Sequence, residues 1–189
     1  MKEKIPQKTD EELVNLAQSG DKQAEEELLL RYRKLVRYCA RKFFLVGGET
    51  EDLIQEGMMG LFQAVNAYQK KPGGARFKTF AHLCIWRRIV DAVKIAAKKE
   101  PLGKSVLAVD LDETKASLDL DAQLISMDEQ KELTQKISHV LSDLEFRIFT
   151  LYVEGMTCAE ICEATGKNPK SVDNALQRSK NKLQKMLGK

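Results

Sequence analysis

The sequence lacks the features that mark several common classes of protein. No apolar run approaches the ~18 residues that a membrane-spanning helix needs, and the opening segment MKEKIPQKTDEE has no apolar signal core. No nucleophile–base pair, phosphate-binding glycine loop or set of metal ligands is recognisable. We therefore predict a cytoplasmic protein that is not an enzyme and that uses no cofactor or metal.

The four cysteines do not follow a zinc-ligand spacing, and in the cytoplasm we expect them to be reduced. One alternative stays open, because Cys158 and Cys162 are four residues apart and can share a helix face. A helical enzyme could use this pair as a redox or metal site, and replacing both with serine would then abolish activity. The simpler interpretation is that the cysteines are small, buried apolar residues.

The net charge of +3 is small, but the charges are unevenly distributed. Residues 69–99 contain nine basic residues and one acid, and residues 167–189 contain seven basic residues and one acid. Between them, residues 106–132 contain eight acids and two lysines. Two basic segments around an acidic connector predict two separate contacts with a polyanion.

Helical periodicity runs through almost the whole sequence, and no strand pattern is present. This predicts an all-α protein with two small helical domains, over residues 1–100 and 128–189, joined by an acidic linker over residues 101–127. The N-terminal domain contains four predicted helices, each preceded by a capping residue or a chain break. Their predicted starts are Thr9, Asp21, Thr50 and Lys78, and their predicted ends are Gly20, Phe44, Tyr68 and Lys98.

The C-terminal segment carries the signals of a helix-turn-helix motif. Ser142-x-x-Glu145 and Thr157-x-x-Glu160 are capping boxes, as is Thr9-x-x-Glu12 near the N-terminus. Gly166 can adopt the positive φ angle of a turn, and Asn168-Pro169 can begin the next helix. The sequence therefore predicts a short helix, a tight turn and a longer second helix.

That second helix presents side chains suited to DNA. Asparagine, glutamine and arginine can bond base edges in pairs, while lysine and serine suit phosphates. The candidate DNA-contacting residues are Lys170, Ser171, Asp173, Asn174, Gln177 and Arg178. The alternative is a three-helix bundle whose last helix has a solvated basic face with no role in binding.

The segment EDLIQEGMMGLFQAVNAY, residues 51–68, predicts a helix whose apolar core stripe includes Phe62. Asp52, Gln55 and Glu56 lie on its other faces and could together bind a basic partner helix. Acidic residues in a first turn also favour the helix dipole, so they have a sufficient structural reason to be there. The residues alone leave both interpretations open.

The segment RFKTFAHLCIWRRIVDAVK, residues 76–94, interleaves basic and aromatic residues. Its apolar residues exceed one core stripe, so we expect some rings to stay accessible. Unpaired bases stack on rings at ~1–3 kcal/mol each, and a cationic groove holds their backbone. The pattern predicts binding to single-stranded nucleic acid. The alternative is that the aromatic rings, Phe77 or Phe80 among them, form core beneath solvated lysines.

These segments occur in the order and spacing of a known family. EDLIQEGMMGLFQAV, RFKTFAHLCIWRRIVDAVK and the stretch from LSDLEFRIF to NKLQKML resemble bacterial RNA polymerase sigma factors of the sigma-70 family, over nearly the whole chain. Within that family, FFLVGGETEDLIQEGMMGLFQAV and SVDNALQRSKNKL are most similar to the sigma-H type of spore-forming Firmicutes. A role in sporulation would follow from that resemblance alone.

The resemblance implies roles for individual residues. The acidic helix of the family docks on a coiled coil of the polymerase β′ subunit, which assigns core-polymerase binding to Asp52, Leu53, Ile54, Gln55 and Glu56. The next segment matches the part of the family that opens and reads the −10 promoter element, including its single-stranded non-template strand. This assigns −10 binding to Phe77, Lys78, Phe80, His82, Arg87, Arg88, Asp91 and Lys94. The C-terminal candidates would read the −35 element beside a contact with the β flap, and an anti-sigma factor is a further partner.

Two departures from the family pattern affect these roles. Leu83 and Cys84 stand where primary sigma factors carry a tryptophan pair that wedges the edge of the melted region, so a weaker wedge is implied. Arg87 stands where they carry glutamine, which implies a different −10 preference. The chief alternative is a stand-alone helix-turn-helix transcriptional regulator, which would bind duplex DNA without polymerase and would not explain residues 51–94.

Overall fold

A computed structural model describes residues 8–43, 50–99 and 135–187, apart from the side chains of residues 97–99 and 187. Every regular element in these ranges is a helix, which confirms the predicted all-α class. The predicted acidic linker, residues 101–127, lies outside the described residues. Within the described ranges, no helix is both long and apolar enough to cross a membrane.

The N-terminal domain has helices whose starts follow the capping signals. They are α1 (Asp10–Gln18), α2 (Lys22–Arg41), α3 (Thr50–Ala67) and α4 (Phe77–Lys99). The Thr9 hydroxyl accepts from the amide of Glu12, and the Glu12 carboxylate accepts from the amide of Thr9, which completes the predicted capping box. Asp21 caps α2 by accepting from the amides of Gln23 and Ala24.

Most predicted boundaries agree with the structure to within two residues, but one cap and one helix end differ in kind or by more. Thr50 is the first residue of α3 rather than the cap before it. The second helix ends at Arg41 instead of about Phe44, and the amide of Phe43 bonds to the carbonyl of Ala40 in a four-residue turn. Neither shift changes the order of the elements.

One hydrophobic core holds the four N-terminal helices together. Helices α3 and α4 approach most closely at Gly60, where an added Cβ would lie 2.9 Å from the carbonyl oxygen of Cys84 and 3.0 Å from the Cα of Ile85. These are backbone atoms that cannot move aside, so this crossing requires glycine. The residues of this N-terminal core that have no exposed surface are Val14, Leu28, Val36, Cys39, Ala40, Leu61, Ala64, Val65, Phe77, Ala81, Ile85 and Ile89.

The helices of the C-terminal domain begin and end at the predicted capping and turn residues. It contains helical residues 135–140, α5 (Asp143–Val153), α6 (Cys158–Thr165) and α7 (Pro169–Leu187). The capping boxes Ser142–Glu145 and Thr157–Glu160 are both complete. Gly166 ends α6 at φ +65°, and Pro169 opens α7 after the side-chain oxygen of Asn168 caps it. Helices α6 and α7 are therefore the predicted helix-turn-helix.

The core of this domain is small. Ile148 of α5, Ile161 of α6, and Val172 and Ala175 of α7 are fully buried against one another. A domain with so few buried residues has little stability to spare. Polar contacts between its helices therefore matter more than they would in a larger domain.

Candidate nucleic-acid interface

The outer side of α3 carries acidic and large apolar residues together. Asp52 and Gln55 are exposed, and Met59 and Phe62 are 50% and 45% exposed. Positions 52, 55, 59 and 62 follow one side of a helix. We call these four residues the α3 face, and its polar half agrees with the sequence prediction of an accessible surface.

Other residues of α3 depart from the prediction. Phe62, assigned to the core stripe, is exposed. Leu53 and Ile54, which belong to the same predicted stripe and which the resemblance also assigned to partner binding, are half-buried against the core. Met59 was given no role, although its spacing of four from Gln55 was a signal that could have placed it on the outer side. The accessible apolar surface of α3 is therefore Met59 and Phe62.

Glu56 and Arg88 are bonded to each other. The Nε of Arg88 donates to Oε2 of Glu56 at 2.7 Å, with each side chain 36% exposed. The resemblance assigned Glu56 to polymerase docking and Arg88 to −10 binding, but here the two side chains join α3 to α4. An ion pair this exposed contributes at most ~1 kcal/mol, so a partner that offers equivalent groups can separate it.

Phe77 is a core residue, and the expectation of an accessible ring is wrong at this position. Its exposure is 0%, and its ring centroid lies 5.3 Å from that of Tyr32 and 5.4 Å from that of Tyr68, both edge-on. Its amide also donates to the Glu11 carboxylate at 3.2 Å. The alternative of an aromatic core therefore holds for this residue.

The predicted −10 residues that remain on one outer side of α4 are Phe80, Arg87, Asp91 and Lys94. They recur at spacings of seven, four and three, which keeps them on one side of a helix. Arg87 and Asp91 are exposed, and Phe80 and Lys94 are half-exposed. The centroid of the Phe80 ring lies 5.6 Å from that of the Tyr68 ring, so one side of the Phe80 ring packs against the core. We call these four residues the α4 face.

Lys78 and His82 lie toward α2, away from the α4 face. Burial lowers the pKa of His82, and the nearby charges of Lys42 and Lys78 lower it further, which favours the neutral imidazole. The Nζ of Lys42 lies 4.8 Å from the ring centre of Tyr38 and 5.5 Å from that of Trp86. The predicted mixture of charge and rings is therefore present here too, but Tyr38 lies on α2 and Lys42 directly follows it, and the sequence analysis gave neither residue a binding role.

Helix α7 exposes most of the predicted DNA-reading residues. Lys170, Asp173, Asn174, Gln177 and Arg178 are exposed, and Ser171 is half-exposed. The opposite side of α7 is buried against α5 and α6, which fixes the direction of the exposed row. This is the geometry that a helix needs to enter a major groove.

Arg178 is tied to a buried carboxylate. Its Nε donates to Oε1 of Glu145 at 3.0 Å, and the Nζ of Lys182 donates to Oε2 at 2.7 Å. Glu145 is only 4% exposed. Burial alone would raise its pKa, but hydrogen bonds from Lys182, the Ser142 amide and Arg178 outweigh that effect and lower its pKa to about 2. The sequence analysis found the capping role of Glu145 but not its two cations.

The cysteines differ in exposure. Cys39 is buried, which raises its pKa to about 12, and Cys84 and Cys162 are half-buried. Cys158 is exposed, so the expectation of a buried apolar residue is wrong there. Among the residues that the structure describes, no group of three or more metal-binding side chains comes together.

Models of two protein-family regions match the chain. Sigma-70 region 2 matches residues 28–98, and Sigma-70, region 4 matches residues 132–183. Two proteins named RNA polymerase sigma-H factor, from Bacillus subtilis (strain 168) and Bacillus licheniformis, are each 35% identical over 98% of this chain and cover 92% and 90% of their own lengths. The RNA polymerase sigma-28 factor of Bacillus thuringiensis subsp. kurstaki is 26% identical over 62% of this chain and 54% of its own.

A helix-turn-helix domain joined to a helical domain with exposed basic and aromatic residues defines a two-domain nucleic-acid-binding protein. The chain belongs to the sigma-70 family of RNA polymerase sigma factors, and within it to the sigma-H type. It is an alternative sigma factor, which binds core RNA polymerase and promoter DNA and directs promoter recognition and transcription initiation. The region 2 match over residues 28–98 leaves the alternative of a stand-alone regulator without support.

Proposed function

We propose that this sigma factor binds its partners through three separate surfaces. The α3 face docks on core polymerase, the α4 face captures the unpaired non-template strand of the −10 element, and α7 reads the −35 element. In this proposal residues 1–100 and 128–189 act as separate domains joined by the linker over 101–127. Polymerisation chemistry belongs to the polymerase, and the chain acts where that enzyme is, in the cytoplasm.

The observation that carries the docking proposal is the composition of the α3 face. A folded domain gains little by leaving Met59 and Phe62 in water, since burying such side chains contributes about 1.5–3 kcal/mol each. Asp52 and Gln55 beside them supply charge and hydrogen bonds. This combination suits a partner helix with basic and apolar residues, as the coiled coil of β′ would provide.

Phe62→Ala is expected to weaken binding to core polymerase about tenfold, because truncating an exposed aromatic residue of a binding face costs roughly 1–2 kcal/mol of binding energy. Leu30→Ala is the matched control, since Leu30 is a 57% exposed apolar residue on α2. Both affinities are measured by titrating labelled chain with core enzyme. Equal affinities for the two variants would place the docking surface elsewhere.

The −10 proposal rests on the α4 face and its surroundings. Phe80 offers a partly open ring, and Arg87 and Lys94 supply positive charge along the same side of α4. Stacking of unpaired bases on a supported ring offsets part of the cost of opening the duplex. Phe77 has no part in this proposal, because its ring is enclosed by Tyr32 and Tyr68.

Asn174→Ala is expected to weaken promoter binding by the holoenzyme about tenfold on templates that depend on the −35 element, because one bidentate base contact contributes roughly 1–3 kcal/mol. Gln184→Ala is the control, an exposed residue of α7 about 15 Å further along the helix. The measurement is filter binding with −35-dependent and −35-independent promoters. A loss that is equal on both templates would contradict base reading by Asn174.

The proposed function as a whole is tested by transcription in vitro. Core polymerase with and without the chain is given a fragmented genomic library, and the 5′ ends of the transcripts are mapped. Start sites that appear only with the chain, and that share two upstream elements, are the expected result. A set of start sites identical to that of core polymerase alone would contradict the proposal.

A further inference from the structure

Helix α6 carries two cysteines that the proposed function does not use. Cys158 is the first residue of α6 and is exposed, and Cys162 follows one turn later and is half-buried. Residues four apart on a helix are neighbours, so the two thiols lie side by side. Burial, and then the hydrogen bond and charge of the Cys158 thiol, raise the pKa of Cys162. An accessible thiol therefore lies beside one that holds its proton more firmly.

This arrangement suits oxidation better than it suits metal binding. Two adjacent thiols are the complete set of groups for a disulfide, whereas they supply half of the four ligands of a structural zinc site. Disulfides in cytoplasmic proteins are mostly transient and serve in redox sensing. A sensor cysteine is accessible to peroxide and commonly has a resolving cysteine beside it. Cys158 and Cys162 meet both conditions.

A disulfide between these residues does not fit an undistorted helix. Side chains four positions apart have Cβ atoms about 5–6 Å from each other, but a disulfide needs a Cβ separation of about 3.5–4.5 Å. Forming the bond must therefore deform the first turn of α6. Strained disulfides are more easily reduced, so we expect low-molecular-weight thiols to reverse the reaction.

The deformed turn is part of the core of the C-terminal domain. Ile161 follows Cys158 by three residues and is fully buried in the small core that α5, α6 and α7 share, and Cys162 packs against that core. The other end of α6 is fixed to α5, because Nη2 of Arg147 donates to the carbonyl oxygen of Ala164 at 3.0 Å. A change in the first turn therefore shifts Ile161 within the core instead of moving α6 as a whole.

The capping box of α6 belongs to the same turn. The amide of Glu160 donates to Oγ1 of Thr157 at 3.3 Å, and Oγ1 of Thr157 donates to Oε2 of Glu160 at 2.8 Å. Both residues lie within one turn of Cys158, so the disulfide disturbs the cap and the core contact together. Helix α7 packs on this core through Val172 and Ala175, and its exposed side depends on that packing.

We propose that Cys158 and Cys162 form a peroxide-reactive site whose disulfide loosens α6 against α7 and so weakens binding to the −35 element. The effect on DNA rests on the proposed reading of that element by α7. The reaction of the two thiols does not depend on it.

The reaction has two steps and produces two molecules of water. The sulfur of Cys158 attacks one oxygen of hydrogen peroxide, the O–O bond breaks, and the other oxygen leaves as water with the thiol proton. The sulfur of Cys162 then attacks the sulfenic acid on Cys158, the S–O bond breaks, and the hydroxyl group leaves as water with the second thiol proton. Two thiols are oxidised to one disulfide, and the peroxide is reduced.

The chemistry is tested on the free full chain after treatment with hydrogen peroxide. Glu160 lies between the two cysteines, so cleavage after glutamate under non-reducing conditions yields separate peptides unless a disulfide joins them. Joined peptides that a reductant separates are the expected result. Cys162→Ser should stop at the sulfenic acid on Cys158, which dimedone labels. Peptides that stay separate in the wild type, or links only between different chains, would overturn the site.

The effect on DNA is measured after the peroxide has been removed and the treated chain has been combined with untreated core polymerase. The oxidised chain should bind a −35-dependent promoter about tenfold more weakly, as for the loss of one base contact, with little change on a −35-independent promoter. Dithiothreitol should restore the binding, and hydrogen exchange of the α6 amides should be faster in the oxidised chain.

The matched control is the double variant Cys158→Ser with Cys162→Ser. It should bind promoters as the reduced wild type does and show no response to peroxide. A response as large as that of the wild type would assign the effect to Cys39 or Cys84 and overturn the proposal. Cys158→Ser with Cys162→Ala is a second control that keeps an apolar group against the core, in case serine at position 162 destabilises the domain.

A disulfide that forms without changing promoter binding would overturn the effect on α6, and Asn174→Ala then shows whether the proposed function fails with it. If Asn174→Ala weakens binding to the −35-dependent promoter, α7 reads DNA and oxidation does not disturb it. If Asn174→Ala has no effect either, the reading of the −35 element by α7 is wrong as well.

Discussion

Phe77→Ala is expected to unfold the N-terminal domain, whereas Phe80→Ala leaves it folded and slows promoter opening. Phe77 has no exposed surface and is packed edge-on between Tyr32 and Tyr68. Removing a buried phenylalanine ring costs about 3–5 kcal/mol, a large part of the stability of a small domain. Phe80 is partly exposed and loses fewer contacts.

The two effects are measured separately. Urea denaturation followed by the fluorescence of Trp86, which packs against Phe43 at 5.3 Å in the same core, reports the stability of the N-terminal domain. Permanganate reactivity of unpaired thymines reports promoter opening by the holoenzyme. Phe80→Ala should change the second measurement much more than the first.

Phe77→Leu serves as the control that keeps the fold. Leucine preserves most of the buried volume, so the domain should stay folded with only a modest loss of stability. If this folded variant opens promoters as poorly as Phe80→Ala, then Phe77 contacts DNA after a rearrangement, and its assignment to the core describes the free protein alone.

Local signals in the sequence predicted local structure well. The predicted capping boxes at Thr9, Ser142 and Thr157 are complete, and Gly166 adopts the predicted positive φ. Each of these features depends on residues within one turn of each other. The interactions that determine these caps and turns therefore involve only residues that are close together in the sequence.

The candidate site was harder to predict, because exposure depends on where other helices approach. Phe62 and Phe77 both fit an apolar stripe, yet the first is exposed and the second is enclosed. Periodicity gives the sides of a helix but not which side its neighbours cover. The Glu56–Arg88 ion pair could not be predicted for the same reason, because it depends on the packing of two helices and joins residues 32 positions apart in the sequence.

Glu145→Gln is expected to destabilise the C-terminal domain by about 3 kcal/mol at pH 7. The pKa of Glu145 is lowered from 4.5 to about 2, and a shift of one pKa unit corresponds to about 1.4 kcal/mol. Glutamine has nearly the same shape but no charge, so it loses the attraction to Arg178 and Lys182. The small core built on Ile148 and Ile161 has little else to compensate.

The sign of the pH dependence follows from the direction of this shift. A carboxylate whose pKa is lower in the folded state stabilises the fold fully above its unfolded pKa, here about 4.5. That contribution is lost as the pH falls from about 4.5 toward 2, where the folded protein also binds the proton. The difference in stability between wild type and Glu145→Gln should therefore shrink over the same interval.

Hydrogen exchange of the α5 and α7 amides in the full chain, corrected for the intrinsic rate at each pH, measures this difference domain by domain. Glu160→Gln is the control, since Glu160 makes the same type of capping box on α6 but is exposed and has no cation pair among the described contacts. Its effect should be much smaller at pH 7. If the loss for Glu145→Gln is as large at pH 2.5 as at pH 7, the charge of the carboxylate is not its source, and steric fit or capping geometry holds the C-terminal domain together instead.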